Sequence, residues 1–256
     1  MKRLPVFALA GMFLPFTPTA EAQVFEVIHP DVEKGQFELE ALNGLGLGSI
    51  ANGDERYVLE LALGYSPFDF WKTKFAVELA KPENQTTEIE AYEWENVFIL
   101  PIGNTDHDHS HHDGDGGFEM GSVGVYAALE VPNEGGISEG GAAVGPIAEA
   151  TIGPVITVAN LFLDIPFADG EDPGISYAIS GQVPVTDWVD LGAEAHGSME
   201  NAFGSGISHG HFIGPAAYFS AYLGRARILE PRVALLFGLN DDTPDAVLSV
   251  NFELKF

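Results

Sequence analysis

Asp245-Ala246-Val247-Leu248-Ser249-Val250-Asn251-Phe252-Glu253-Leu254-Lys255-Phe256 closes the chain and decides its fold. Side chains alternate sides along a strand, so Ala246, Leu248, Val250, Phe252, Leu254 and Phe256 share one face. Val247, Ser249, Asn251, Glu253 and Lys255 share the other. One face is almost purely apolar and the other mostly polar, and the strand stops on Phe256. An unpaired apolar strand of this length in water invites edge-to-edge association. Closing it against the first strand of a barrel, with the apolar face in lipid, removes the exposed edge.

The same alternation recurs upstream. Strand candidates are 36–42, 56–66, 70–81, 86–100, 118–131, 142–150, 152–166, 174–183, 187–199, 210–223, 226–238 and 245–256. That is an even number, as single-chain bacterial barrels require. No segment sustains helical periodicity, and 30 Gly and 16 Pro supply the breaks. Trp71, Thr73, Phe75, Val77 and Leu79 should face lipid, with Lys72, Lys74 and Glu78 inward. Val189, Leu191, Ala193 and Ala195 face out on the same reading, opposite Asp190, Glu194, His196 and Ser198. Leu229, Pro231, Val233, Leu235 and Phe237 face out, opposite Glu230 and Arg232. Short turns are expected at Ser66-Pro67-Phe68-Asp69 and Pro184-Val185-Thr186. These hairpins echo each other: Gly64-Tyr65-Ser66-Pro67 leads to Trp71 and Gly181-Gln182-Val183-Pro184 leads to Trp188, at identical spacing. Each Trp would lie at the membrane interface.

Residues 1–22 read as a secretory signal: Lys2 and Arg3, an apolar run from Leu4 to Phe16, then the small-x-small site Ala20-Glu21-Ala22. The expected mature chain starts at Gln23, with 23–35 as a periplasmic segment and 36–256 as the barrel. Nowhere else does the sequence approach the roughly 18 uninterrupted apolar residues of a membrane helix. There is no Cys, hence no disulfide and no thiolate chemistry. Losing the signal removes Lys2, Arg3 and Glu21, leaving 9 basic and 37 acidic residues and a formal charge of −28. Nucleic acid binding needs a basic footprint, so nucleic acid is excluded as a partner.

Signal, alternating strands and a terminal Phe256 together make the chain resemble the Gram-negative outer-membrane β-barrels, an all-β class of single antiparallel transmembrane barrels. The resemblance implies outer-membrane lipid as the surroundings. It also implies the barrel assembly machinery as a partner that recognises the C-terminal strand. It stops at the class and names no subfamily.

Three stretches carry candidate chemistry. Loop 104–117, Asn-Thr-Asp-His-Asp-His-Ser-His-His-Asp-Gly-Asp-Gly-Gly, gathers His107, His109, His111, His112, Asp106, Asp108, Asp113 and Asp115. Such a loop could hold Zn²⁺, Cu²⁺ or Ni²⁺ through imidazole and carboxylate; no cofactor is otherwise required. It is not an EF-hand, because Asp113 takes the place that needs Gly when Glu119 is set last. Strand parity puts the loop after strand four, on the periplasmic side. His209 and His211 form a weaker candidate, expected in an extracellular loop. The pair His196-Gly197-Ser198 has the His-x-Ser spacing of the outer-membrane phospholipase and lipid A deacylase families. Those active sites face lipid, whereas the alternation here turns His196 and Ser198 inward, with no evident Asn or Glu on the neighbouring strand. No catalytic residue is assigned.

Lys72, Lys74, Glu78, Glu194, His196, Glu230, Arg232, Glu253 and Lys255 should line the lumen. They would either edge an aqueous path or close it as ion pairs. The leading expectation is a porin-like passive channel for small solutes or ions with a metal-binding loop. The alternatives are a non-conducting structural barrel and, further off, a lipid hydrolase.

Overall fold

The computed structural model describes residues 24–48, 55–82, 85–103, 118–204, 207–224, 227–240 and 243–256. The signal segment and loop 104–117 lie outside the described residues. The strands are β1 (Phe37–Leu47), β2 (Glu55–Phe68), β3 (Trp71–Pro82), β4 (Glu88–Gly103), β5 (Phe118–Pro132), β6 (Gly141–Ile152) and β7 (Val155–Pro166). They continue as β8 (Gly174–Thr186), β9 (Val189–Glu200), β10 (Ser208–Phe219), the two-residue β11 (Ala221–Tyr222), β12 (Ile228–Gly238) and β13 (Ala246–Lys255). Each long strand pairs antiparallel with the next, and β11, which follows β10 after Ser220, pairs antiparallel with the start of β12.

The ring closes as the terminal strand demands. β13 pairs with β1 from Lys255 opposite Glu38 to Ala246 opposite Leu47, and β10 pairs with β12 past β11. The result is a closed antiparallel barrel of twelve long strands. At the seam Phe37 N–H donates to Phe256 O and Phe256 N–H donates to Phe37 O, each at 2.9 Å.

Outward positions are predominantly apolar: Leu61, Leu63, Phe75, Trp94, Leu161, Leu191, Ile213, Phe237 and Phe252 are all exposed large side chains. On a water-soluble protein so continuous a patch would drive association; in lipid it is the required surface. Two-residue turns at 69–70, 153–154 and 187–188 share one end with the chain terminus, while connections at the other end are longer. Short turns mark the periplasmic end. An aromatic row runs around that end on the outside. Phe37 stacks between Tyr65 and Phe256 at 4.5 and 5.9 Å, and Trp71 between Phe68 and Phe98 at 6.1 Å each. Trp188 stacks on Phe219 at 6.4 Å.

Several boundaries differ from the sequence reading. β1 runs on to Leu47 rather than 42, because Gly44 and Gly46 continue the sheet instead of breaking it. β8 reaches Thr186, so Pro184 lies in the strand at a register shift, and the turn is Asp187-Trp188. The first hairpin likewise has its shift between Tyr65 and Phe68, with the turn at Asp69-Phe70. The Pro of each echoing motif therefore marks an irregular strand end. β10 begins at Ser208, so His209 and His211 are strand residues, not loop residues.

The largest departure is the N-terminal segment. Residues 24–32, expected as part of a periplasmic tail, lie inside the barrel, with Phe25, Val27, Ile28, Pro30 and Val32 buried, while Glu33 and Lys34 are exposed at the rim. Gln36 N–H bonds Glu33 O at 3.1 Å, and Gly35 at φ 85° supplies the left-handed residue that reverses the chain. Gly35 N–H also bonds Ser66 O at 2.7 Å, which fixes this turn at the periplasmic rim of β2. From there the segment runs back up the lumen to Phe25, beside Phe212, Leu236 and Val247. Ten extended residues reach about 33 Å, enough to cross a hydrocarbon core of about 30 Å.

Lipid exposure of Leu61, near the middle of β2, carries a direct consequence. Leu61→Arg should cost about 2–4 kcal/mol, the range for a cation near the bilayer midplane, read as a shift in the urea unfolding midpoint in vesicles. Phe68→Arg, at the periplasmic rim, should cost about 1 kcal/mol or less.

Candidate functional site

Among the described residues polar chemistry is concentrated in the lumen, and three ionic groups organise it. Lys74 projects inward from the middle of β3, and its Nζ lies 2.6 Å from Glu40, 3.1 Å from Glu95 and 3.2 Å from Glu26 of the N-terminal strap. Tyr126 donates its hydroxyl to Glu95 at 3.1 Å from the opposite side. Lys72, two residues nearer the periplasm, pairs with Glu38 at 3.0 Å.

Glu194 anchors the second group. Arg232 grips both its carboxylate oxygens, Tyr218 donates to it at 2.7 Å, and His196 Nε2 shares a hydrogen bond with it at 2.9 Å. Arg232 also donates to Ser249 Oγ at 3.0 Å and to the backbone carbonyl of Phe25 at 2.9 Å. The third group is Lys255, 2.8 Å from Glu230, 3.4 Å from Glu253 and 3.4 Å from Asp31 of the strap. Buried charges survive only when paired and hydrogen-bonded, and each of these four cations meets that condition.

All nine lumen-lining residues expected from the alternation thus lie on inward positions. Glu78 stands on the inward face of β3 opposite Glu60 of β2. The interior remains strongly acidic: Glu60 Oε1 and Glu38 Oε1 are buried without a hydrogen-bond partner, and Glu93 shares Tyr126 with Glu95.

The strap is held by side chains rather than by strand pairing. Asn160 of β7 acts as a substitute backbone: its Oδ1 accepts from Ile28 N–H at 2.8 Å and its Nδ2 donates to Ile28 O at 2.8 Å. Asn251 Nδ2 donates to Phe25 O at 2.8 Å, and His29 Nδ1 lies 3.4 Å from Glu149 Oε2. Apolar contacts complete the seat. Phe25 packs on Phe212, Leu236 and Val247; Val27 on Val158 and Ala178; Ile28 and Val32 join Val97, Tyr126 and Ile147. Small inward residues such as Ala178, Ser180, Gly214 and Ala216 leave the space that the strap occupies.

His196 and Ser198 sit on inward positions, and Ser198 lies opposite Ser176 and Gly210. The orienting carboxylate that the sequence reading sought on a neighbouring strand is Glu194, two residues back on the same strand. The spacing i, i−2 was the available signal, since it puts both side chains on one face. His196 is buried against Phe25, with ring centroids 4.9 Å apart, so this pair has no access to lipid.

His209 and His211 lie on the outward face at the extracellular end of β10, where their ring centroids are 5.6 Å apart. His211 Nδ1 is 3.1 Å from the Tyr177 hydroxyl across Gly197, whose missing side chain makes the room. The candidate metal ligands Asp106, His107, Asp108, His109, His111, His112, Asp113 and Asp115 lie outside the described residues. The strands that carry them, β4 and β5, place both ends of that loop at the periplasmic rim. Among the described residues Glu38, Glu40 and Glu253 bring carboxylate oxygens within 4.8 Å of one another. Lys72 and Lys74 already neutralise Glu38 and Glu40.

A closed twelve-strand antiparallel ring, an apolar exterior with an aromatic row at one rim, and a charged interior define an outer-membrane β-barrel. No protein-family model and no curated relative matches the chain. Among solved structures it is similar to the translocator domain of autotransporter NalP from Neisseria meningitidis, at 10% identity over 88% of each chain with a TM-score of 0.45. It is also similar to outer membrane phospholipase A from Escherichia coli, at 10% identity over 88% of this chain and 97% of that one, TM-score 0.43. Acinetobacter baumannii outer membrane protein Omp33 follows at 13% identity over 87% and 98%, TM-score 0.39. Likenesses at this level add nothing to what the strand pairing itself establishes.

The Asn160 clamp gives a test of the strap's seat. Asn160→Ala strands Ile28 N–H and C=O in a buried site, at a cost of about 1–3 kcal/mol for each group left unsatisfied. Hydrogen exchange should show the Ile28 amide losing protection while the β7–β8 ladder keeps its own. Arg232→Leu should be harsher, about 3–5 kcal/mol, because it leaves Glu194 as an uncompensated buried charge.

Proposed function

We propose that this protein is a passive, cation-selective channel for small solutes or ions, held shut by its own N-terminal strap. The observation that carries the reading is the seating of residues 24–32: they fill an acidic lumen yet share no strand ladder with it. A segment tied by side chains can leave without any break in the barrel wall. What it would uncover is lined by Glu40, Glu60, Glu78, Glu93, Glu95 and Glu194, a wall that favours cations. The reading is non-enzymatic, since the His196–Ser198 pair faces the strap and not lipid.

Loop 104–117, with its four His and four Asp, is the proposed divalent-metal element at the periplasmic mouth. The terminal strand β13, ending on Phe256, is the proposed handle for the assembly machinery. A permanently closed structural barrel is the competing reading, favoured by the completeness of the ion pairing around Lys74, Arg232 and Lys255.

Planar-bilayer recording separates the two. The refolded mature chain should be silent or nearly so, and the same chain without residues 23–34 should give steady cation-selective steps. A synthetic peptide of residues 24–34 added to the shortened barrel should block them. Silence from a folded, shortened barrel would establish the structural reading instead. For the loop, calorimetry should show Zn²⁺ binding that disappears when residues 105–116 are deleted, with the barrel's unfolding midpoint unchanged. Undiminished binding in the deletion would remove the metal role from this loop.

A further inference from the structure

Of the eight His in the chain, four belong to loop 104–117, and His29 and His196 turn into the lumen. His209 and His211 take no part in either. They open β10 at its extracellular end, and the alternation that turns Ile213 outward turns both of them the same way. His209 is exposed and His211 half-buried, so water at that rim reaches the pair.

The backbone that carries them is held in one conformation. Leu239 N–H donates to His211 O at 2.8 Å. Next to it the side chain of Asn240 takes the place of a strand partner: its Oδ1 accepts from His211 N–H at 3.1 Å, and its Nδ2 donates to His209 O at 2.5 Å. Thr243 holds Asn240 in turn, with its N–H and its hydroxyl both donating to Asn240 O, at 3.2 and 2.7 Å. A single amide therefore sets the spacing of the two His residues.

The rings are 5.6 Å apart between centroids, with planes at 87°. Two imidazoles whose nitrogens share one metal at about 2.0–2.1 Å have centroids about 5 Å apart at a tetrahedral angle. A small rotation of either ring closes that difference. His211 Nδ1 lies 3.1 Å from the Tyr177 hydroxyl, and the two rings stack at 5.9 Å. Gly197 stands between them, where a Cβ would collide with both His211 Nδ1 and the Tyr177 ring. A metal-bound His gives its second ring N–H to an oxygen, which fixes tautomer and orientation. Tyr177 supplies that oxygen for His211 and leaves Nε2 to coordinate. His209 has a further contact of its own. An imidazole carries two nitrogens, so a partner on one is compatible with a metal on the other.

We propose that His209 and His211 together bind a divalent transition-metal ion at the extracellular rim, with Tyr177 orienting His211. Imidazole ligands suit Cu²⁺, Ni²⁺ and Zn²⁺, and the general order of affinities puts Cu²⁺ first. Two protein ligands leave the remaining positions to water or to a ligand that arrives with the metal, so the site captures and exchanges rather than locks. The site depends neither on conduction through the lumen nor on metal binding by loop 104–117, whose ends lie at the opposite rim.

The test uses the full mature chain refolded in detergent, with Cu²⁺ alone as the probe and its paramagnetic broadening of backbone amide NMR signals as the readout. Gly210 lies between the two ligands and Gly197 is paired with His211, so their amides report on this site and not on the distant loop. Both should broaden as Cu²⁺ is added to the unmodified chain. Both should stay sharp in the His209→Asn/His211→Asn double variant, which keeps the loop. Tyr177→Phe should weaken the affinity read from Gly210 about tenfold or more, the scale of losing a group that orients a ligand. Sharp signals throughout the titration of the unmodified chain, which needs no variant to refold, would overturn the proposal. Broadening that persists in the double variant would overturn it as well, and an unchanged affinity in Tyr177→Phe would overturn the orienting role of Tyr177.

Discussion

Everything in this molecule depends on the seam between β13 and β1. At membrane depth no water is available for backbone N–H and C=O groups, so an open edge there would leave a full row of them unsatisfied, at several kcal/mol each. The reciprocal bonds between Phe37 and Phe256 and the register from Glu38–Lys255 to Leu47–Ala246 remove that row. The same seam brings Phe256 onto Phe37 and Tyr65, so the last residue both ends the ladder and contributes to the aromatic rim. Closure also creates an inside, and the rest of the chemistry follows from what that inside must hold.

The inside holds far more carboxylates than cations, and the arrangement is correspondingly economical. Two of the four interior cations serve three acids each: Lys74 meets Glu26, Glu40 and Glu95, and Lys255 meets Asp31, Glu230 and Glu253. Arg232 spans both oxygens of Glu194 and still reaches the strap carbonyl of Phe25. The strap adds its own acids, Glu26 and Asp31, to an already acidic space, and it sets each beside a lysine. Neutralisation and seating of the strap are therefore a single arrangement.

The barrel was legible in the sequence because a strand buried on one face and in lipid on the other has period two whatever its length. That period placed all nine lumen residues, and it held through β3, β9 and β12 without adjustment. Strand ends were less legible, since Gly44 and Gly46 carry the same local signal whether they break a strand or leave space inside a barrel. The strap was missed for a different reason. Val24-Phe25-Glu26-Val27-Ile28 has the β-branched and aromatic make-up of a strand but no ladder partner, and its seat consists of contacts to residues far along the chain, from Lys74 at 48 positions to Asn251 at 226. Only one local sign existed: apolar Phe25, Val27, Ile28 and Val32 in a segment assigned to water. His209 and His211 were misplaced because polar residues near a Gly read as loop, and only the register with β9 reveals that they face outward.

The energetic scale of the strap distinguishes it from a wall strand. Each wall strand contributes a continuous ladder on both sides, and losing one would open the ring. The strap has instead a few side-chain bonds, each worth about 1 kcal/mol net, and a short set of ion pairs. Its apolar residues add about 1.5–3 kcal/mol each as an upper bound for full burial. Against this stands the entropy of fixing its backbone, about 1–2 kcal/mol for each residue ordered. The two sides are of comparable size, so the balance is set by the few buried polar contacts, Asn160 to Ile28 and Arg232 and Asn251 to Phe25. A segment poised in this way keeps the lumen filled while the β13–β1 seam, which shares no residue with it beyond the turn at Gly35, holds the barrel closed.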